Sequence, residues 1–408
     1  MIRPLVLALA LTLCATGAWA DRYSDCNQDK DDERRMRGCT QIIELGKRES
    51  QKNRASAYVN RGITYKNKGE VDRAIADYDE AIALDPENAK AYYNQGNAYD
   101  EKGDYDRAIA NFTKAITLNP NDAYAYTNRG IIYKNKGEVD RAIADYDKAI
   151  ALNPNYASAY NNRGITYKNK GEVDRAIADY TKAIALNPKS AFAHYNRGLA
   201  YRKKGDYDRA IADYAKAIAL RPKDADAYYN RGYTYRKKGE YDRAIADFDK
   251  AIALNPNYAN AYYNRGIAYR KKDEYDRAIA DYTKAITLNP NYASAYNNRG
   301  IVYHKQSEFD RAIADFDKAI ALNPNYASAY NNRGVVYYDR GEVDRAIADY
   351  DKVIALNPKD ADAYYNRGHT YEKKGHKDQA IADFRKALEI NASDQGAKNN
   401  LKRLGVTP

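Results

Sequence analysis

Asparagine is the side chain that recurs most strictly where chemistry could be done. Asn60, Asn94, Asn128, Asn162, Asn196, Asn230, Asn264, Asn298, Asn332 and Asn366 stand one every 34 residues. A primary amide offers donors and an acceptor, so a row of them suits the backbone of an extended peptide whatever its sequence. Midway along the row the neighbours are phenolic and cationic. Tyr195, Tyr229 and Tyr263 precede the asparagines, and Arg202 with Lys203, Arg236 with Lys237 and Arg270 with Lys271 follow them. Lys134 and Lys168 continue the basic stripe on one side, and His304 and Lys305 on the other. Toward the ends the sign reverses at Asp100, Glu101 and Glu372. These residues describe a site for an extended, acidic protein segment. The same residues also read as a solvated charged face, with the asparagines bonded to the backbone of a neighbouring repeat.

Catalytic chemistry has no comparable pattern. His304, His369 and His376 fall at unrelated positions without metal-ligand spacing, and His194 stands where other copies have Tyr, as a core variant. No nucleophile elbow or phosphate loop occurs. The Asp and Glu residues recur with the period, which makes them scaffold. The expectation is a non-enzymatic chain without cofactor or metal.

The elements that must hold the row follow from the period. Near-copies of Ala157 to Ser190 tile residues 55–394, with glycines at 62, 96, 130 and onward to 368 and prolines at 86, 120, 154 and onward to 358. Ten such copies mean an all-α solenoid. Counting Ala157 as position 1, Tyr160, Gly164 and Tyr167 share one face of a first helix, and Lys170-Gly171 ends it. Ala176, Ile177, Tyr180, Ala183 and Ile184 line a second helix, which Asn187-Pro188 stops. Small residues at Gly164 and Ala176 allow the two helices to cross closely.

Tyr160, Gly164, Tyr167, Ala176, Tyr180, Ala183 and Pro188 resemble the tetratricopeptide repeat over about four fifths of the chain. The resemblance implies a right-handed superhelix of helical hairpins whose first helices line a concave groove. Related arrays in the nucleocytoplasmic O-GlcNAc transferases carry a similar Asn ladder, and other members hold peptide carboxylates with groove Asn and Lys. Position 7 departs from the family pattern, being Arg163 instead of Leu.

Arginine occupies position 7 in nine repeats and Asp position 23 in the same nine, whereas the second repeat has Gln95 and Asn111. This predicts an Arg–Asp pair bridging the two helices of each repeat, replaced once by a neutral amide pair. Position 9 holds Ile63, Ile131, Ile165, Leu199, Tyr233, Ile267, Ile301 and Val335, an apolar row. A row on the face away from the repeat's own core needs either the adjacent repeat or a ligand as partner.

Residues 1–20 combine Arg3, an apolar run from Leu5 to Ala15 and Ala18-Trp19-Ala20, the form of a secretory leader cleaved after Ala20. The apolar run is too short to remain as a transmembrane anchor. Export to the periplasm or medium would put Cys26 and Cys39 in an oxidising compartment. Aligned on the repeat, they fall at positions 11 and 24, which face each other, so a disulfide is expected within an N-terminal capping half-repeat over 21–54. Residues 395–408 read as a C-terminal capping helix and tail. A net charge of +11 fits an anionic partner, although both signs are interspersed. The leading expectation is a protein-interaction scaffold for an acidic peptide segment. An organiser of a cell-envelope or polysaccharide-export assembly is the alternative, and no nucleic-acid partner is expected.

Overall fold

In repeat 4 the first helix runs Ala157–Lys170 and the second Val173–Leu186. Gly171 closes the first at a φ of 92°, a left-handed conformation that a Cβ would strain. Asn187 leaves the second helix ahead of Pro188, where the ring disfavours helical backbone. The same hairpin recurs from repeat 1, Gln51–Asn67 with Val71–Leu84, to repeat 10, Ala361–Lys373 with Lys377–Ile390. Repeats 7 and 8 lack the terminating glycine, yet Asp273 and Ser307 hold positive φ values of 59° and 61° in its place.

This computed structural model describes residues 22–407; the leader segment read over 1–20 lies outside them. Among the described residues every regular element is helical, and no helix is long and apolar enough to cross a membrane. The helices form two compact units, one ending at Lys204 and one beginning at Gly205. The first holds an N-terminal hairpin, repeats 1 to 4 and the first helix of repeat 5. The second holds the other helix of repeat 5, repeats 6 to 10 and a last helix, Gln395–Arg403.

Within each unit the core is a string of small clusters, most of which join neighbouring repeats. A Cβ on Gly164 would lie 2.8 Å from the Tyr180 ring, so the absent side chain is what lets the aromatic in. Tyr167, Ala176 and Tyr180 of repeat 4 close over Ala200 of repeat 5. Tyr269, Ala278 and Tyr282 of repeat 7 close over Val302 of repeat 8. Ile165, Ile267 and Ile301 pack against these junction clusters, so the adjacent repeat is the partner of the apolar row. No hairpin buries its stripe alone, and stability is shared between neighbours. His194 is buried, as a core position requires.

The ends are closed differently. A helical segment over residues 22–27 packs on Asp32–Glu44, and Cys26 and Cys39 are paired with their Cα atoms 4.6 Å apart. Both are buried beside Ile42 and Ala57 of repeat 1. At the other end Ala397 and Leu401 cover Ala380, Phe384 and Ala387 of repeat 10.

Two outcomes follow. Asp273→Gly or Ser307→Gly should each raise the unfolding free energy in urea by about 1 kcal/mol, by removing a strained left-handed Cβ; an unchanged midpoint would contradict that. Cys39→Ser should destabilise the N-terminal hairpin by about 3 kcal/mol on the chain-entropy account. Hydrogen exchange should then accelerate in residues 22–60 and stay constant beyond repeat 6, because coupling is between neighbours.

Candidate functional site

The position-7 arginines are committed to the scaffold. Arg163 donates through Nε and Nη2 to both carboxylate oxygens of Asp179, at 2.8 and 2.7 Å. Its Nη1 reaches Asp147 of the preceding repeat at 2.6 Å. The same fork joins Arg61 to Asp77, Arg129 to Asp145, Arg231 to Asp247, Arg265 to Asp281, Arg299 to Asp315, Arg333 to Asp349 and Arg367 to Asp383. Asp179 is only 8% exposed in its side chain. Burial pushes the Asp281 and Asp349 carboxyls up, against the pull of Arg265 and Arg333. The hydrogen bond to Asp179 in turn holds Arg163 above its ordinary value. Such pairs fix geometry more than they add stability. They also explain why position 7 departs from leucine.

Repeat 2 corrects one expectation. Gln95 and Asn111 do not pair with each other. Gln95 Nε2 donates to Asp79 of repeat 1 at 2.7 Å, and Asn111 Nδ2 turns back to the Arg107 carbonyl at 3.0 Å. The shorter amide keeps the link to the preceding repeat and gives up the one within its own.

The asparagine row also satisfies itself inwardly. Asn162, Asn230, Asn264 and Asn298 donate to the carbonyls of Ser158, Asp226, Asn260 and Ser294, one turn back in the same helix. Asn264 further donates to the Tyr229 hydroxyl at 3.1 Å and Asn298 to the Tyr263 hydroxyl at 2.9 Å. Asn196 approaches Asn161 at 3.4 Å. Asn196, Asn230 and Asn264 are buried. Tyr195, Tyr229 and Tyr263 are half-buried, and Tyr229 and Tyr263 orient the amide of the following repeat.

What these first helices present outward is cationic. Lys203, Lys237 and Lys271 are exposed, and Arg202, Arg236 and Arg270 are half-buried beside them. Of this set Asn162, Tyr195, Asn196, Arg202 and Lys203 lie in the first compact unit and the remainder in the second. Burial lowers the Lys168 ammonium, and Lys203 and Arg202 lower it further. Burial likewise lowers Lys134, opposed by Asp100. Lys134, Lys168, Arg236 and Arg270 have no carboxylate within ion-pair distance among the described residues, whereas the position-7 arginines and several other cations of the repeats do. Lys238, for example, meets Asp208 at 2.6 Å, and Arg277 meets Glu274 at 2.6 Å. His304 is paired with Asp339 at 2.7 Å, which ends the stripe.

A second aromatic layer was not anticipated. Tyr258 and Tyr292, at position 34, lie against Tyr229 and Tyr263 with ring centroids 4.8 and 4.7 Å apart. Their hydroxyls donate to Asp226 and Asn260 of the same compact unit. The recurrence of Asn-Pro-Asn-Tyr ahead of repeats 4, 7, 8 and 9 was the available signal. Between the first helices of repeats 9 and 10, Val335, Tyr338, Asp339, Tyr350, Asn366 and His369 line a cavity of about 270 Å³. Among the described residues no cluster of three His, Cys, Asp or Glu could hold a metal.

Comparison with known proteins agrees with this geometry. The pattern of the TPR repeat matches residues 62–103, 132–171, 166–205, 198–239, 232–273, 268–307 and 334–375. Two tetratricopeptide repeat patterns match 89–122, 293–326 and 361–394, and 111–144 and 316–348. The chain belongs to the tetratricopeptide repeat family, and this membership supports a protein–protein interaction scaffold. No curated protein matches the chain significantly. Among solved structures, a tetratricopeptide repeat protein from Parabacteroides merdae is 24% identical, with a TM-score of 0.50 over 61% of this chain and 98% of its own. YrrB, described as a TPR protein with an unusual peptide-binding site, is 30% identical, with a TM-score of 0.40 over 46% and 97%. PilF of Pseudomonas aeruginosa is 20% identical, with a TM-score of 0.47 over 53% and 98%.

The unpaired lysine gives a test. Replacing Lys168 with Met should raise the melting temperature at pH 7. Its folded ammonium loses its proton below the ordinary value of 10.5, so between those limits the unfolded chain binds more protons and the native protein gains stability with pH. The advantage of Lys168→Met should therefore shrink as pH approaches 10.5; a constant difference in melting temperature would contradict it.

Proposed function

We propose that the chain is a non-enzymatic, exported scaffold that holds an extended acidic peptide segment along the groove of its first helices. The observation that carries this reading is the contrast between two sets of cations. Scaffold arginines fork onto one carboxylate and in several repeats reach a second. Lys168, Arg236 and Arg270 on the first-helix face are half-buried without a counter-charge among the described residues. Holding desolvated cations without partners costs free energy that an anionic chain would offset. The inward-turned asparagines and their tyrosine partners then act chiefly to fix that face, and ligand contacts fall to Arg202, Lys203, Arg236, Lys237, Arg270 and Lys271. Paired cysteines and the leader composition support export, to the periplasm or the medium.

A fluorescent peptide of alternating Ala and Glu should bind the mature chain, with affinity falling as salt rises. Lys237→Glu with Lys271→Glu, both exposed, should weaken binding about tenfold or more at unchanged melting temperature. Equal binding of an Ala–Lys peptide, or full binding by the charge-reversed variant, would defeat the reading.

A further inference from the structure

Two arginines of the second compact unit share an uncommon feature. Arg236 and Arg270 sit at the same position of repeats 6 and 7, and the Nε of each is buried without a hydrogen-bond partner. The hydroxyl of Tyr282, on the second helix of repeat 7, is also buried and unpartnered. Tyr263 bridges the group, its ring 6.0 Å from that of Tyr282. Burial pushes both phenols up, and Arg236 and Arg270 oppose the shift at both, with Ser294 adding to them at Tyr263 and the nearby Arg270 guanidinium acting most strongly at Tyr282. The two guanidiniums and two phenols therefore share one neighbourhood. The contrast within the same repeats is sharp: Arg231 and Arg265 fork onto Asp247 and Asp281, and Arg243 and Arg277 meet Glu240 and Glu274. Arg236 and Arg270, by contrast, have no carboxylate within ion-pair distance among the described residues. The Tyr282 hydroxyl is not needed for packing, since Phe248 and Phe316 fill the equivalent place in the flanking repeats.

We propose that Arg236 and Arg270 form a subsite for a doubly charged tetrahedral oxyanion, a phosphoryl group carried by the groove's ligand, with Tyr263 and Tyr282 positioning the guanidiniums from beneath. The charge selects this chemistry. One carboxylate brings a single negative charge and two oxygens, which leaves one of the two guanidiniums unmatched. A phosphoryl dianion brings nearly two charges and three acceptor oxygens, enough for one fork from each arginine. Lysines 237 and 271 alongside add attraction without fixed geometry. The inference rests on the groove reading above, and it sharpens the partner from acidic to phosphorylated.

Binding of inorganic phosphate to the mature chain, followed by calorimetry beside acetate at equal ionic strength, tests the site. Phosphate should bind at least about tenfold more tightly than acetate. Arg270→Lys, which keeps the charge and loses the fork, should remove most of that preference at unchanged melting temperature, and Arg236→Lys should do the same. Adding one phosphoserine to the Ala–Glu peptide should strengthen its binding, increasingly as pH rises through about 6, where the second proton leaves. That gain would identify the phosphoryl source as a peptide. Phosphate preference without a peptide gain would support the subsite as one for the free ion. Acetate binding as well as phosphate, or lysine variants that discriminate like the parent, would overturn the subsite. Retained capture of the plain Ala–Glu peptide in that event would leave the groove reading standing.

Discussion

One interaction sets the rest of this structure: the fork of the position-7 arginine onto the position-23 aspartate. A guanidinium can bind a carboxylate through two parallel hydrogen bonds only in a narrow range of orientations. Holding Arg163 on Asp179 therefore fixes how far the two helices of repeat 4 can slide or rotate. The third nitrogen of the same group extends to Asp147, and the constraint passes to the next hairpin. Apolar burial at Tyr180 and Ala176 supplies the drive to associate, but it is non-directional. The fork chooses one arrangement among those that burial would allow.

That choice has a consequence on the opposite side of each first helix. With the helix axis fixed, position 6 is drawn against the preceding repeat and its amide finds partners there, as Asn264 does on Tyr229. At position 12 of repeats 6 and 7, Arg236 and Arg270 meet no carboxylate among the described residues, whereas His304 at the same position of repeat 8 meets Asp339 of the next first helix. The protein thus separates two populations of positive charge by geometry alone. One population is paired with carboxylates; in the other, Lys168, Arg236 and Arg270 have no carboxylate partner among the described residues.

How much of this could be read from the chain alone depends on which kind of question is asked. The hairpins were legible because glycine and proline act locally: Gly171 has a backbone need, and Pro188 imposes one on Asn187. The Arg–Asp pairing was legible because both residues recur in register. The direction of the asparagines was not. A helical wheel gives the azimuth of a Cα and says nothing about rotamers, and Asn230 turns its amide back to the Asp226 carbonyl one turn earlier. Gln95 misled for a related reason, since Asp79 on the previous hairpin competes with Asn111 and sequence spacing cannot rank them. Tyr258 and Tyr292 were missed because they precede the helix and carry no helical periodicity, yet they stack on Tyr229 and Tyr263.

Each arginine fork lies within its own hairpin, and where the guanidinium reaches farther, as at Arg163 and Arg265, it is to the hairpin before it. Cutting out a whole 34-residue copy, or splicing one in, would hand every surviving guanidinium a carboxylate of the right kind at the right distance. Unequal crossing-over between such similar coding segments would therefore yield chains that fold at once in new lengths. A lineage could lengthen or shorten its reach in fixed increments, without passing through a misfit intermediate.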